Sequence, residues 1–199
     1  MAHAPLEDQR RQRPVARGGC SGLAVYLLLG VTLHAFSATP EPAAPTEYEV
    51  KAAFLYHFAR LVEWPLAADD KPFVLAVVGP DPFGHVLEDA IGSRQVRGRA
   101  VRIDRYRRSA DARHDHPQLL FVAASESREV ERALAAVEGA PVLTVGELDA
   151  FAEQGGMIGF RITPEGRVTF DINRAEAERA GLKLSSQLLK LARIVEKAP

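Results

Sequence analysis

Apolar residues change their spacing several times along the chain, and each change marks an element. Over Glu47–Trp64, Val50, Phe54, Phe58, Leu61 and Val62 recur at helical spacing, while Glu49, Lys51, Arg60 and Glu63 take other faces. Pro65 disfavours helical geometry at the residue before it, so the helix is predicted to end at Trp64. Phe73–Val78 (FVLAVV) is unbroken apolar sequence, the signature of a strand covered on both faces in a parallel sheet. Gly79-Pro80-Asp81 ends it, and Asp81 is placed to cap a helix from about Pro82 to Ile91. Ala100–Tyr106 sets Val101 and Ile103 against Arg102 and Asp104, as a half-exposed strand does. Leu119–Ala123 reads as a second buried strand. Ser125 or Ser127 opens a helix to about Val137, with Val130, Leu134 and Val137 inward. Pro141–Val145 is a third buried strand, and a short helix, Glu147–Glu153, follows.

The period then shortens to two. Met157–Ile162 and Arg167–Ile172 flank Thr163-Pro164-Glu165-Gly166, whose Pro and Gly suit a tight turn, so the pair is predicted to be a β-hairpin. Asn173 with Glu176 resembles a capping box, and Gly181 closes that short helix. A last helix is predicted from about Ser185 to Glu196. Buried strands alternating with helices make an α/β fold: a three-layer-type sandwich with a mainly parallel sheet and the C-terminal β-hairpin at one edge. No internal repeat is visible.

The N-terminal stretch is of another kind. Arg10, Arg11, Arg13 and Arg17 precede an apolar run, Leu23–Leu33, and small residues at Ala35, Ser37 and Ala38 follow. That order is a secretory signal peptide, expected over residues 1–37, with cleavage after Ser37 or after Ala38. The run is short of the roughly 20 residues that span a bilayer; an uncleaved anchor is the alternative. Cys20 precedes the run, where a lipoprotein cysteine would follow it. Residues 38–46, rich in Pro, are expected to be a disordered linker, and 47–199 a single domain. Cleavage would remove the lone cysteine, leaving no thiol chemistry. It would also remove four arginines and two acids, taking the net charge from −1 to −3.

That balance argues against a nucleic-acid partner, which calls for a basic stripe. No cofactor motif is present. Gly79-Pro80-Asp81-Pro82-Phe83-Gly84 lies where α/β folds bind ligands, after a strand and before a helix, but its prolines lack the N–H donors of a phosphate cradle. His114-Asp115-His116 has no third ligand at a recognisable spacing, so no metal is expected. No serine sits in a nucleophile elbow, Ser185 and Ser186 being placed as caps, and no catalytic set is recognisable.

Five stretches, EYEVKAAFLYHFARLVEWP, VVGPDPFG, PVLTVGELDAFAEQGGMIGFRI, GRVTFDIN and AGLKLSSQLLKLARIV, resemble the successive motifs of the YfiR family, in that family's order. The resemblance covers Tyr48–Val195. It implies a non-catalytic periplasmic α/β protein that represses an inner-membrane diguanylate cyclase by binding its periplasmic domain, lowering cyclic-di-GMP and biofilm formation. It also implies an outer-membrane lipoprotein that sequesters the repressor, and a homodimer. Some members carry disulfides, which this chain, without a cysteine after residue 20, departs from. A periplasmic small-molecule sensor is the alternative function. Partner or ligand contacts are expected on exposed apolar surface with a charged rim, with Tyr56, Arg60, Glu63, Trp64, Asp81 and Phe83 as candidates.

Overall fold

The structure, a computed structural model, describes residues 44–65, 71–123 and 127–198. The expected signal peptide and most of the linker lie outside the described residues. The chain runs α1 (Glu47–Leu61), β1 (Val62–Glu63), β2 (Phe73–Val78), α2 (Val86–Ile91), β3 (Gln95–Val96), β4 (Arg99–Tyr106), α3 (Ser109–Ala112), a 3-10 turn (Arg113–Asp115), β5 (Leu119–Val122), α4 (Ser127–Ala136), β6 (Leu143–Gly146), β7 (Ile158–Ile162), β8 (Val168–Asn173), α5 (Arg174–Arg179), β9 (Lys183–Leu184), α6 (Ser186–Lys190) and β10 (Arg193–Val195).

Eight strands form one sheet in the order β10-β8-β7-β6-β5-β2-β4-β3. From β4 through β2, β5 and β6 to β7 every neighbour is parallel. The β7–β8 hairpin is antiparallel and lies at one end of the sheet, as expected, with only β10 outside it. The unbroken apolar strands have the predicted cause. In β2 and β5, Phe73, Leu75, Val77, Leu119 and Phe121 enter a core that also holds residues of α1, α2, α5 and α6. Ala76, Val78, Leu120 and Val122 point the other way, into a second core closed by Ala112 of α3 and by Val130 and Ala133 of α4. Alternate residues of one strand therefore serve two layers.

Four predicted helices differ from the sequence expectation, one of them α2, which starts at Val86 rather than Pro82. The first helix stops at Leu61, three residues early. Thr46 and Glu49 form a capping box at its start, but Val62 takes an extended conformation and, with Glu63, pairs antiparallel with Leu184 and Lys183. The predicted helix over Glu147–Glu153 is a series of turns. Ala150 has φ +58°, and the Phe151 ring lies between Gly146 and Gly156, where an added Cβ would come within 2.4 and 2.1 Å of it. The last helix stops at Lys190; Arg193–Val195 continues as β10, parallel to β8. The cause is a buried acid. Asp171 of β8 is 3% exposed and accepts hydrogen bonds from Arg193 (3.0 and 2.5 Å) and from Nε of Arg161 (2.8 Å). A buried carboxylate needs such partners, and β10 brings one of them.

Candidate functional site

The chain leaves β2 for β4 on one side and returns to β5 on the other, so the carboxyl ends of β2 and β5 are a switch point, where open α/β sheets hold ligands. Here the backbone closes tightly. Gly79, at φ +98°, donates its N–H to the Tyr106 carbonyl (2.9 Å), and a Cβ on it would lie 2.5 Å from the Ala123 carbonyl oxygen. The loop beyond is held by charge. Asp81 accepts from the Phe83 N–H (2.9 Å) and from Nε of Arg105 (2.6 Å); Arg105 also donates to Glu88 and to the Gly84 carbonyl. The hydrogen bond from Arg105 holds the Glu88 carboxyl below its ordinary range, against a smaller effect of burial. Asp81 therefore does not cap the helix as expected: its bond to the Phe83 N–H closes a turn within the loop, and the helix starts later, at Val86, behind His85 and without a side-chain cap.

Phe83 turns inward and is 2% exposed, edge-on to Tyr48 (5.5 Å between centroids) and Phe121 (4.8 Å). Beside it, Lys51 of α1 is 3% exposed, 2.5 Å from Glu47, 2.6 Å from Glu147 at the end of β6, and over the Tyr48 ring. Burial alone would lower the Lys51 pKa; hydrogen bonds to Glu147 and Glu47 outweigh it and raise it. The carboxyl end of the sheet is therefore lined with paired charges and aromatic side chains.

The remaining candidates lie further along α1. Tyr56 is 8% exposed and donates its hydroxyl to the Gln95 carbonyl (3.3 Å). The Arg60 guanidinium lies 5.7 Å from its ring centroid and that of Arg94 5.4 Å. Trp64 is 6% exposed, with Nε1–H donated to the Gln118 carbonyl (3.0 Å) and its ring edge-on to Phe73 (5.1 Å). Arg60 and Glu63 are exposed, and Asp81 is half-buried. The expectation of exposed aromatic surface is thereby corrected: Tyr56, Trp64 and Phe83 are buried, each ring with aromatic or guanidinium neighbours, and the Tyr56 hydroxyl and Trp64 indole N–H each find a backbone carbonyl. Sequence reasoning missed Arg94. Its pairing with Tyr56 depends on α2 packing against α1, and no spacing within either segment reveals that.

The YfiR/HmsC-like family model matches residues 48–193. The chain belongs to the YfiR/HmsC-like family. Its architecture is also similar to the crystal structure of a conserved domain protein from Vibrio cholerae O1 biovar El Tor str. N16961, with a TM-score of 0.51 at 14% identity. That match covers 75% of this chain and 60% of the other, so this chain spans less than two thirds of its length. The likeness is one of fold.

The family's motifs fall on one connected framework. The first is α1 with its aromatic stripe, the second the closed loop after β2, and the others build β6–β8 and the return through β10. Among the described residues of this YfiR/HmsC-like chain, no group of three or more His, Cys, Asp or Glu is placed to hold a metal. His114 and His116 are exposed and, with Ser109 and Arg132, line an open hollow of about 610 Å³ against α4. Ser185 caps α6, accepting from the Leu188 N–H at 3.2 Å. No helix among the described residues is long and apolar enough to cross a membrane.

Proposed function

We propose that this YfiR/HmsC-like chain is a non-catalytic periplasmic regulator. It binds the periplasmic domain of an inner-membrane diguanylate cyclase and represses it, lowering cyclic-di-GMP and biofilm formation. The observation that carries this reading is the family match over residues 48–193, nearly all of the described domain. Near the carboxyl end of the sheet, Phe83 packs on Tyr48 and Lys51 pairs with Glu147. Export by residues 1–37, release by an outer-membrane lipoprotein and pairing of two copies belong to the same proposal. The test is removal of the gene from the source cell. Cyclic-di-GMP and surface attachment should rise and return to baseline when the full chain is restored, and the tagged chain should recover a membrane cyclase from solubilised membranes. Unchanged cyclic-di-GMP on removal would overturn the reading.

A second reading, a small-molecule sensor, draws on the hollow at Ser109, His114, His116 and Arg132. A small anion that raises the melting temperature of the wild-type chain, and fails to do so with Arg132→Ala, would favour it, since a ligand of the folded state stabilises by mass action.

A further inference from the structure

We infer that Arg60 and Arg94, braced on the buried ring of Tyr56, form the docking point for a carboxylate-bearing acidic segment of the protein partner. The inference rests on the proposed function for the existence of that partner and adds which surface meets it.

Two guanidinium groups share one aromatic ring, at 5.7 and 5.4 Å from its centroid. The ring is fixed: Tyr56 is buried and its hydroxyl is tied to the Gln95 carbonyl. Stacking of this kind is favourable for each arginine alone, but it brings two like charges together. At several other sites this chain neutralises arginine charge, with Arg105 on Asp81 and Glu88, Arg193 on Asp171 and Glu153, and Arg161 on Asp171. Exposed Arg97 and Arg107 also lack an ion pair with any described residue, and what sets Arg60 and Arg94 apart is the ring they share. Arg60 and Arg94 make no ion pair with any described residue and both are exposed. An acid of another molecule can neutralise them. The planar fork of arginine suits a carboxylate in a two-pronged hydrogen bond, and a side chain already held against a ring loses less freedom on binding.

A protein segment fits better than a lipid surface. Membrane binding by basic residues calls for clusters of roughly four to eight, close to apolar anchors. Here two arginines act together, and the exposed large apolar residues, Ile162, Leu191 and Ile194, belong to other elements. The net charge of −1, and −3 without residues 1–37, also opposes approach to an anionic bilayer.

The experiment measures binding of the full chain to the purified periplasmic domain of a diguanylate cyclase from the same cell, by calorimetry across a salt series. The wild-type chain should bind, and more weakly as salt rises. Arg60→Glu/Arg94→Glu should weaken binding by about tenfold or more and flatten the salt dependence, with the melting temperature lowered by only a few degrees because both side chains are exposed. Arg60→Gln/Arg94→Gln, which adds no repulsion, should give a smaller loss in the same direction and serves if the reversal disturbs folding. Wild-type binding that survives both double variants overturns the inference and leaves the proposed function standing. No wild-type binding removes both. Binding to phosphatidylglycerol vesicles that the double reversal abolishes, without binding to the domain, assigns the pair to a membrane and overturns the inference.

Discussion

Trp64 and Asp171 carry structural weight out of proportion to their appearance in the sequence. A Trp at the predicted end of a helix reads as well for a partner surface as for a core; its burial and its bond to the Gln118 carbonyl decide for the core. Trp64→Ala should cost about 3–5 kcal/mol, as buried aromatic truncations do, visible as a lower urea midpoint. Trp64→Phe, which loses the N–H but keeps a ring, should cost less. Equal stability of Trp64→Ala and wild type would place the ring outside the core. Asp171 titrates in a predictable direction. Burial by itself would raise its pKa, but hydrogen bonds from Arg193 and Arg161 outweigh that and hold it below the ordinary value of 3.8. A depressed folded-state pKa means that its stabilisation is present above that value and is lost as pH falls through the lower one. Between pH 4 and 2, wild-type stability should therefore fall more steeply than that of Asp171→Asn, as measured by chemical unfolding at each pH. Sequence alone marked Asp171 as one polar residue in an alternating strand. Its partners are ten and 22 positions away, and no local pattern links them.

Elements were legible where the pattern was long or the turn chemistry strong. The buried strands, the β7–β8 hairpin and the capped α5 follow from apolar runs, from Pro164 and Gly166, and from Asn173, which accepts from the Glu176 N–H at 3.1 Å. Two of the failures share a cause: short segments whose state is decided by what they pair with. Val62–Glu63 left helix for a two-residue ladder with β9, and Arg193–Val195 left helix for β8. A chain ending at Leu191 should test this. It would lose β10, bare the edge of β8 and leave Asp171 without Arg193, a loss of about 3–5 kcal/mol for a broken buried pair together with greater aggregation from the open edge. Stability equal to that of the full chain would show β10 to be ornamental. At the other strand end, Gly79→Ala combines a φ of +98° with a Cβ 2.5 Å from the Ala123 oxygen. It should destabilise by at least about 1–3 kcal/mol, while Gly166→Ala, in open space at a turn, should cost less.

Across the domain, β2 and β5 each feed both cores, so the two layers should melt together. Trp64, the single tryptophan, reports on the larger core, whereas Leu120 faces the smaller one. Leu120→Ala should lower stability by about 2–5 kcal/mol, and Trp64 fluorescence and far-ultraviolet circular dichroism should shift by the same amount. Separate transitions would mean that the layers unfold independently. The family and the fold class could be argued from sequence because both depend on ordered, local features: apolar runs that suit a strand covered on both faces, turn residues, and motifs in sequence order. The three-dimensional structure decided which aromatics are core, which arginines are neutralised, and where three short segments lie. Those outcomes depend on contacts between residues far apart in the chain. Tyr56 meets Arg94, and Asp171 meets Arg193, only because α2 lies against α1 and β10 against β8.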